Sequence, residues 1–185
     1  MDLHQAIYTR RSTREFTSEP VDRTSLLRLI DAAIQAPSAV NEQPWSFTVV
    51  QDQAVLARIS SEAKAHILRG PPNDIPSEHL QELLRDLGFN IFYGAPALIV
   101  ISSVLRNQWA IENCALAAEN LMLAACAEGL GTCWIGFAQM WLTTSAGKEA
   151  LHVPATCLPV APIIVGHPKS PPAPVPRRPA DVHWI

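Results

Sequence analysis

Apolar positions along this chain recur with two different periods, and the switches between them mark out its elements. Leu3, Ala6 and Ile7 fall at helical spacing and predict a short first helix. Glu19-Pro20-Val21-Asp22 then breaks the chain. Asp22 is a good N-cap, and Leu26, Leu27, Ile30, Ala33 and Ile34 follow on one face of a second helix. Pro37 ends it by disfavouring the α conformation at Ala36. Phe47 to Val50 is rich in β-formers and predicts a strand. Ala54 to Leu68 returns to helical spacing through Leu56, Ile59, Ala63 and Ile67. Gly70-Pro71-Pro72-Asn73 reads as a loop, and Ser77 as the cap of a helix carrying Leu80, Leu83, Leu84 and Leu87.

The second half is more apolar. Ala97-Leu98-Ile99-Val100-Ile101 has no alternation and predicts a strand covered on both faces. Gln108 to Glu128 is the longest helical stretch and is apolar almost all round. Ile111, Ala115, Ala118, Met122 and Ala125 lie on one side, Leu116, Leu123 and Ala127 on another. Such a helix is expected to be buried, and in a small domain a partner subunit is the means. Gly129-Leu130-Gly131 closes it. Thr132 to Phe137 reads as a strand or strand-like turn, Thr144 to Leu151 as a short helix, and Val160 to Gly166 as a second covered strand. From His167 the chain is rich in proline and therefore extended, and Val182-His183-Trp184-Ile185 offers a terminal strand. There is no repeat and no linker, so residues 1–185 read as one layered domain of helices and buried strands, with 170–185 as an extended arm.

Composition adds limits to this picture. A chain of 185 residues with 48% apolar content can build a sizeable core. Charged residues are only 17%, below the usual ~25%, which leaves little polar surface and points to a large subunit interface. Net charge is −3 with no basic tract, so no nucleic-acid partner is expected. The start, Met1-Asp2-Leu3-His4-Gln5, lacks an apolar leader core, and no run is long enough to span a membrane. Cys114, Cys126, Cys133 and Cys157 form no C-x-x-C pair and lie in apolar segments, as reduced core cysteines of a cytoplasmic protein would. His4, His66, His79, His152, His167 and His183 show no metal spacing. Thr144-Ser145-Ala146-Gly147-Lys148 lacks the first glycine of a phosphate loop, and no G-x-G-x-x-G occurs.

Two segments carry chemistry. Arg10-Arg11-Ser12-Thr13-Arg14 packs guanidinium groups and a hydroxyl together, and arginine forks match phosphate oxygens bidentately. Pro37-Ser38-Ala39-Val40-Asn41-Glu42-Gln43-Pro44-Trp45 is a proline-bracketed loop whose side-chain donors and acceptors suit the edge of a planar heterocycle. A phosphate anchor beside a heterocycle cradle implies a nucleotide-like cofactor.

In this order and spacing, the two segments resemble the nitroreductase family of FMN-dependent NAD(P)H oxidoreductases, which opens with R-x-S-x-[RK] and continues, one helix later, with P-S-x-x-N-x-Q-P-W. The later Gly129-Leu130-Gly131-Thr132-Cys133-Trp134-Ile135-Gly136 is similar to the family's G-L-G-x-x-W-I-G. The resemblance implies an α+β fold: a central, mostly antiparallel sheet flanked by helices, in an intertwined homodimer that exchanges its C-terminal segment. It implies FMN as cofactor and NADH or NADPH as donor. It implies a ping-pong transfer to a small-molecule acceptor, such as a nitroaromatic or quinone, with no catalytic side chain required. By resemblance, Arg10 and Ser12 meet the FMN phosphate, Arg11 lies in the same stretch, and Arg14 lies toward the ribityl chain and the N1/C2 edge. Pro37, Ser38, Ala39 and Asn41 reach the flavin of the other subunit. Backbone amides at Ile135 and Gly136 face N5 and O4. Arg177 or Arg178 closes the phosphate site. The family's Asn and Lys near the flavin pyrimidine have no clear counterpart between Ile67 and Phe92, where Arg69 is a candidate. The alternatives are a reductive dehalogenase or flavin-fragmenting enzyme of the same fold, a non-catalytic flavin-binding module, and a non-flavin domain whose arginines are merely solvated. A lid that orders on substrate would favour dehalogenation, and none is evident.

Overall fold

The computed structural model describes residues 1–70 and 77–185. The loop expected at Gly70-Pro71-Pro72-Asn73 lies, from Pro71 on, outside the described residues. The elements are α1 (Leu3–Thr9), α2 (Arg23–Ile34), β1 (Trp45–Val50), α3 (Gln53–Arg69), α4 (Glu78–Arg85), β2 (Ala97–Ser103), α5 (Ala110–Ala127), β3 (Gly131–Trp134), α6 (Gly136–Leu142), α7 (Ser145–Ala150) and β4 (Leu158–Gly166). A single 3-10 turn, Ala39–Asn41, precedes β1.

The four strands form one sheet in the order β1-β2-β4-β3, with every pairing antiparallel. Both faces are covered. Leu98, Val100 and Ile164 point into a cluster with Leu56 and Ile59 of α3, Leu84 of α4 and Trp141 of α6. Ile99, Ile101, Ile163 and Val165 point the other way, onto Leu26 and Leu29 of α2 and Ala117 and Leu121 of α5. Two cores on one sheet explain why β2 and β4 read as unbroken apolar runs, since each alternate side chain has its own helical layer to enter. The fold is α+β, an antiparallel sheet flanked by helices.

The helix boundaries follow from their caps. Asp22 accepts from the Ser25 N–H, Asp52 from Ala54 and Val55, Ser77 from Leu80 and Thr144 from Gly147. Two expectations, on the ends of α4 and β3, need correction. The helix after Ser77 stops at Arg85, because the Asp86 carboxylate takes the Gly88 N–H in a turn, and Leu87 is left exposed. Strand β3 ends at Trp134, and the following residues form α6, which no side chain caps. Val182–Ile185 forms no strand in the single chain, and Trp184 is 92% exposed. Helix α5 is buried on one face only, leaving Ile111 and Leu116 exposed. On α1, only Ala6 of its apolar face is buried, while Leu3 and Ile7 stand in solvent. Three of the four free cysteines are buried and Cys126 is half-buried. Among the described residues no helix is long and apolar enough to cross a membrane.

Candidate functional site

The arginine segment begins where α1 ends. The Arg10 N–H donates to the Ala6 carbonyl at 2.9 Å, and the chain then runs extended. Ser12 bridges Thr132 in parallel fashion, and the Thr13 N–H donates to the Thr132 carbonyl at 2.9 Å. Phe16 bridges Pro168, the Thr17 N–H donates to His167, and the Lys169 N–H donates to Glu15. Residues 10–17 therefore form a ribbon between the open edge of β3 and the start of the C-terminal arm. Thr13 and Phe16 face inward, while Ser12 and Arg14 face out.

A cavity of about 640 Å³ opens on this ribbon, lined by Arg10, Arg11, Ser12, Arg14 and Glu15 and, from the arm, by Ser170 to Ala173, Val175 and Arg177. Four guanidinium groups thus converge on one concavity. Among the described residues Arg10 alone of these has a carboxylate partner, Glu119 of α5 at 3.3 Å, and that carboxylate is half exposed. Arg11 Nη1 donates to the Arg10 carbonyl at 2.7 Å, and its Nε is buried without a partner. Of the two tail arginines, Arg177 lines the cavity and Arg178 is not among its lining residues.

Arg14 also lines a second cavity of about 250 Å³, with Tyr93, Cys133, Trp134, Ile135, Gly136 and Phe137. The two cavities meet at Arg14. Ile135 requires correction, because its N–H already donates to the Pro162 carbonyl at 2.8 Å and cannot serve a ligand. Gly136 opens α6, and the first amides of a helix have no intrahelical acceptor. The free helix-start donors in this cavity are therefore the amides of Gly136 and Phe137, beside the Arg14 guanidinium.

The proline-bracketed loop is built elsewhere. Its anchor is Asn113, in the first turn of α5 and 2% exposed. Asn113 Oδ1 accepts from the Ala39 N–H at 2.9 Å, its Nδ2 donates to Glu42 at 3.3 Å, and its carbonyl accepts from Trp45 Nε1 at 2.9 Å. Ser38 Oγ accepts from the Gln43 N–H and Asn41 Oδ1 accepts from Gln43 Nε2. Within this tight turn Val40, Asn41 and Gln43 all have positive φ, of 44°, 58° and 47°. A β-branched residue there is strained, by about 1–3 kcal/mol, and Val40 is 93% exposed with no core contact to offset it. Pro37, Ser38, Ala39 and Asn41 line neither cavity of their own chain.

Arg69 lines neither cavity; its Nε donates to the Ala65 carbonyl at the end of α3. The residues that sequence reasoning missed are Asn113, Tyr93 and Phe137. Asn113 had a signal, one of two amide side chains, with Asn120, inside an apolar helix. Phe137 had one too, since Ala138, Trp141 and Leu142 recur at helical spacing just after it. Among the described residues no cluster of histidine, cysteine or carboxylate could hold a metal ion.

A model of the nitroreductase family matches residues 7–167. An Archaeoglobus fulgidus protein, whose name couples NADH dehydrogenase with NAD(P)H nitroreductase, is 29% identical over 163 residues, covering 88% of this chain and 83% of its own. The 4-nitrobenzoate reductase of Pseudomonas putida is 28% identical, covering 82% and 79%. Among solved structures, a Desulfitobacterium hafniense nitroreductase with bound FMN superposes with a TM-score of 0.83 at 25% identity, covering 100% of this chain and 99% of the other.

Proposed function

The chain belongs to the nitroreductase family, and we propose from that premise that it is a homodimeric FMN-dependent oxidoreductase. Its donor is NADH or NADPH, and its acceptor an electron-poor small molecule such as a nitroaromatic or a quinone. The observation that carries the reading is the cavity in which Arg10, Arg11, Ser12, Arg14 and Arg177 converge with one carboxylate contact among them. Four cations on one concavity repel one another unless an anion joins them, and a phosphate monoester supplies that anion. The unpartnered Arg11 Nε fits the same requirement. Relatives named for NAD(P)H nitroreductase and 4-nitrobenzoate reductase, and a structural neighbour that holds FMN, support the cofactor and the reaction class.

When bound, FMN supplies two-electron chemistry, taken from the nicotinamide and passed to the acceptor in a ping-pong cycle. The chain supplies placement and electrostatics. Arg10, Ser12 and Arg177 would hold the phosphate. Arg14, where the two cavities meet, carries an unneutralised charge toward the isoalloxazine end, which favours the electron-rich form. The Gly136 amide, at the mouth of α6, would donate to the edge of the ring, where glycine lets a flat group approach the backbone.

The loop acts in the opposite subunit. In its own chain it lies toward the first turn of α5 and away from the arginine cavity. The exposed Leu3, Ile7, Ile111 and Leu116 supply apolar surface for a second copy, and the arm with Trp184 reaches across to it. The cytoplasm, where FMN and reduced nicotinamides are available, is the proposed location.

The test is a visible absorbance spectrum of the purified protein, before and after anaerobic NADH or NADPH. A yellow protein whose flavin band bleaches is expected. A yellow protein that does not bleach would point to a binding module, and a colourless one that takes up no added FMN would sink the proposal.

A further inference from the structure

Arg14 differs from its neighbours in what holds it. Arg10 meets Glu119, Arg11 donates to a carbonyl, and Arg28 is paired with Glu128 at 2.8 Å. Among the described residues Arg14 has no carboxylate and no hydrogen-bond partner; its one neighbour of consequence is the ring of Tyr93, whose centroid lies 5.9 Å from the guanidinium carbon. That is within the range of a cation–π contact.

Tyr93 is itself unusually fixed. Its φ is +55°, and it is followed by Gly94 at +67°, so the backbone reverses through two left-handed residues. The Tyr93 N–H donates to the Asn90 carbonyl at 2.9 Å. Its ring stands edge-on to Phe89, centroid to centroid 5.6 Å. The Phe89 carbonyl accepts from the buried Lys64 ammonium. A bulky residue in the left-handed region is maintained only where the surroundings over-determine it, and such sites concentrate where a side chain has to be aimed.

We propose that Tyr93 is the positioning residue for Arg14, orienting its guanidinium at the cavity shared with the Gly136 amide while leaving its charge intact. A carboxylate in the same place would hold the arginine equally well but would cancel the positive potential it projects. An aromatic face gives orientation without neutralisation. This rests on the proposed flavin reading, because a redox readout of the projected charge needs a group whose own charge changes.

The experiment is a redox titration of the flavin-loaded protein and three variants. Tyr93→Phe keeps the ring and should match the wild type. Tyr93→Leu should lower the preference for reduced over oxidised flavin about two- to five-fold, the size of one exposed cation–π contact. That corresponds to a midpoint potential about 10–20 mV lower, at ~30 mV per tenfold for a two-electron couple. Tyr93→Asn, which suits a left-handed backbone, should reproduce the shift and guards against a folding defect in the leucine variant. On an Arg14→Ala background none of the three should move the potential further. In the apoprotein, the Arg14 side-chain resonances should lose their ring-current shift in Tyr93→Leu and keep it in Tyr93→Phe, a readout that needs no flavin. A shift in Arg14→Ala with none in Tyr93→Leu would overturn the proposal while leaving the flavin reading standing. So would an equal shift with and without Arg14. A wild type that takes up no FMN would overturn both.

Discussion

Thr13 lies against Gly131 so closely that a Cβ on the glycine would sit 2.7 Å from the threonine Oγ1 and Cγ2. The two residues join the ribbon that carries the arginines to the edge of β3, and the Thr13 N–H seals the contact on the Thr132 carbonyl. Gly131 is thus required by packing, and the second glycine of the G-L-G segment acts on the site through Thr13. Gly131→Ala should cost about 1–3 kcal/mol in urea unfolding, the range for overpacking a filled interior. It should also weaken flavin retention by pushing Ser12 and Arg14 away from β3. Wild-type stability in that variant would mean the ribbon can shift freely.

Arg10→Ala with Ser12→Ala separates anion binding from folding. The Arg10–Glu119 pair is partly exposed and contributes only ~0–1 kcal/mol, so unfolding should barely change. Hydrogen bonds to a charged phosphate are worth about 1.5–3 kcal/mol each, so FMN affinity should fall at least about 100-fold. Equilibrium dialysis against FMN measures it, and an unchanged flavin-to-protein ratio would remove the phosphate assignment.

How far the sequence carried this picture depended on whether the determinant was local. Asp22 and Ser77 each cap a helix within four residues of themselves, and each was legible. Ile99 and Ile163 were legible as covered strand residues because both faces of a central strand must be apolar. Helix α6 opens on a glycine with no capping side chain, so its start had no local mark. The use of the Ile135 N–H by Pro162 and the meeting of Tyr93 with Arg14 depend on chain-distant partners, which no spacing rule reveals. The arginine motif was legible as chemistry. The resemblance already set Arg14 apart from Arg10 and Ser12, whereas the lining of one cavity by Arg10, Arg11 and Arg177 and of a second by Arg14 with Tyr93 and Gly136 depends on where the arm and β3 lie.

Alkaline pH should destabilise the protein through Cys114. This thiol is buried on α5, and desolvation pushes its pKa from 9.0 up to about 12. A pKa raised on folding means that the native state retains the proton while the unfolded chain loses it. The contribution is therefore fully present below pH 9 and is lost as pH rises toward 12. Cys114→Ala should unfold more easily at neutral pH, from lost packing, yet show a shallower fall in stability above pH 9. An identical alkaline slope in both proteins would assign the loss to other groups. At pH 8 a thiol reagent should label the half-buried Cys126 of the native protein well before Cys114, Cys133 or Cys157.

The proposed trans role of the loop has a test that a purely structural role would fail. Asn41 Oδ1 accepts from Gln43 Nε2 at 2.9 Å within a turn of three positive-φ residues, and Val40 beside it points into solvent. Along α5 the loop anchor Asn113 and the arginine partner Glu119 are six residues apart, about 9 Å of helix axis. Asn41→Asp replaces an amide donor with a negative charge and should weaken flavin binding without unfolding the chain. Co-expression of this variant with the Arg10→Ala, Ser12→Ala chain, each carrying its own tag, yields hybrid dimers after tandem purification. If the loop serves the opposite subunit, one site of each hybrid combines both defects and the other has neither, so flavin occupancy and activity partly return. If the loop serves its own chain, every site keeps one defect and nothing returns. The cavity without Pro37, Ser38, Ala39 or Asn41 among its lining residues points to the first outcome.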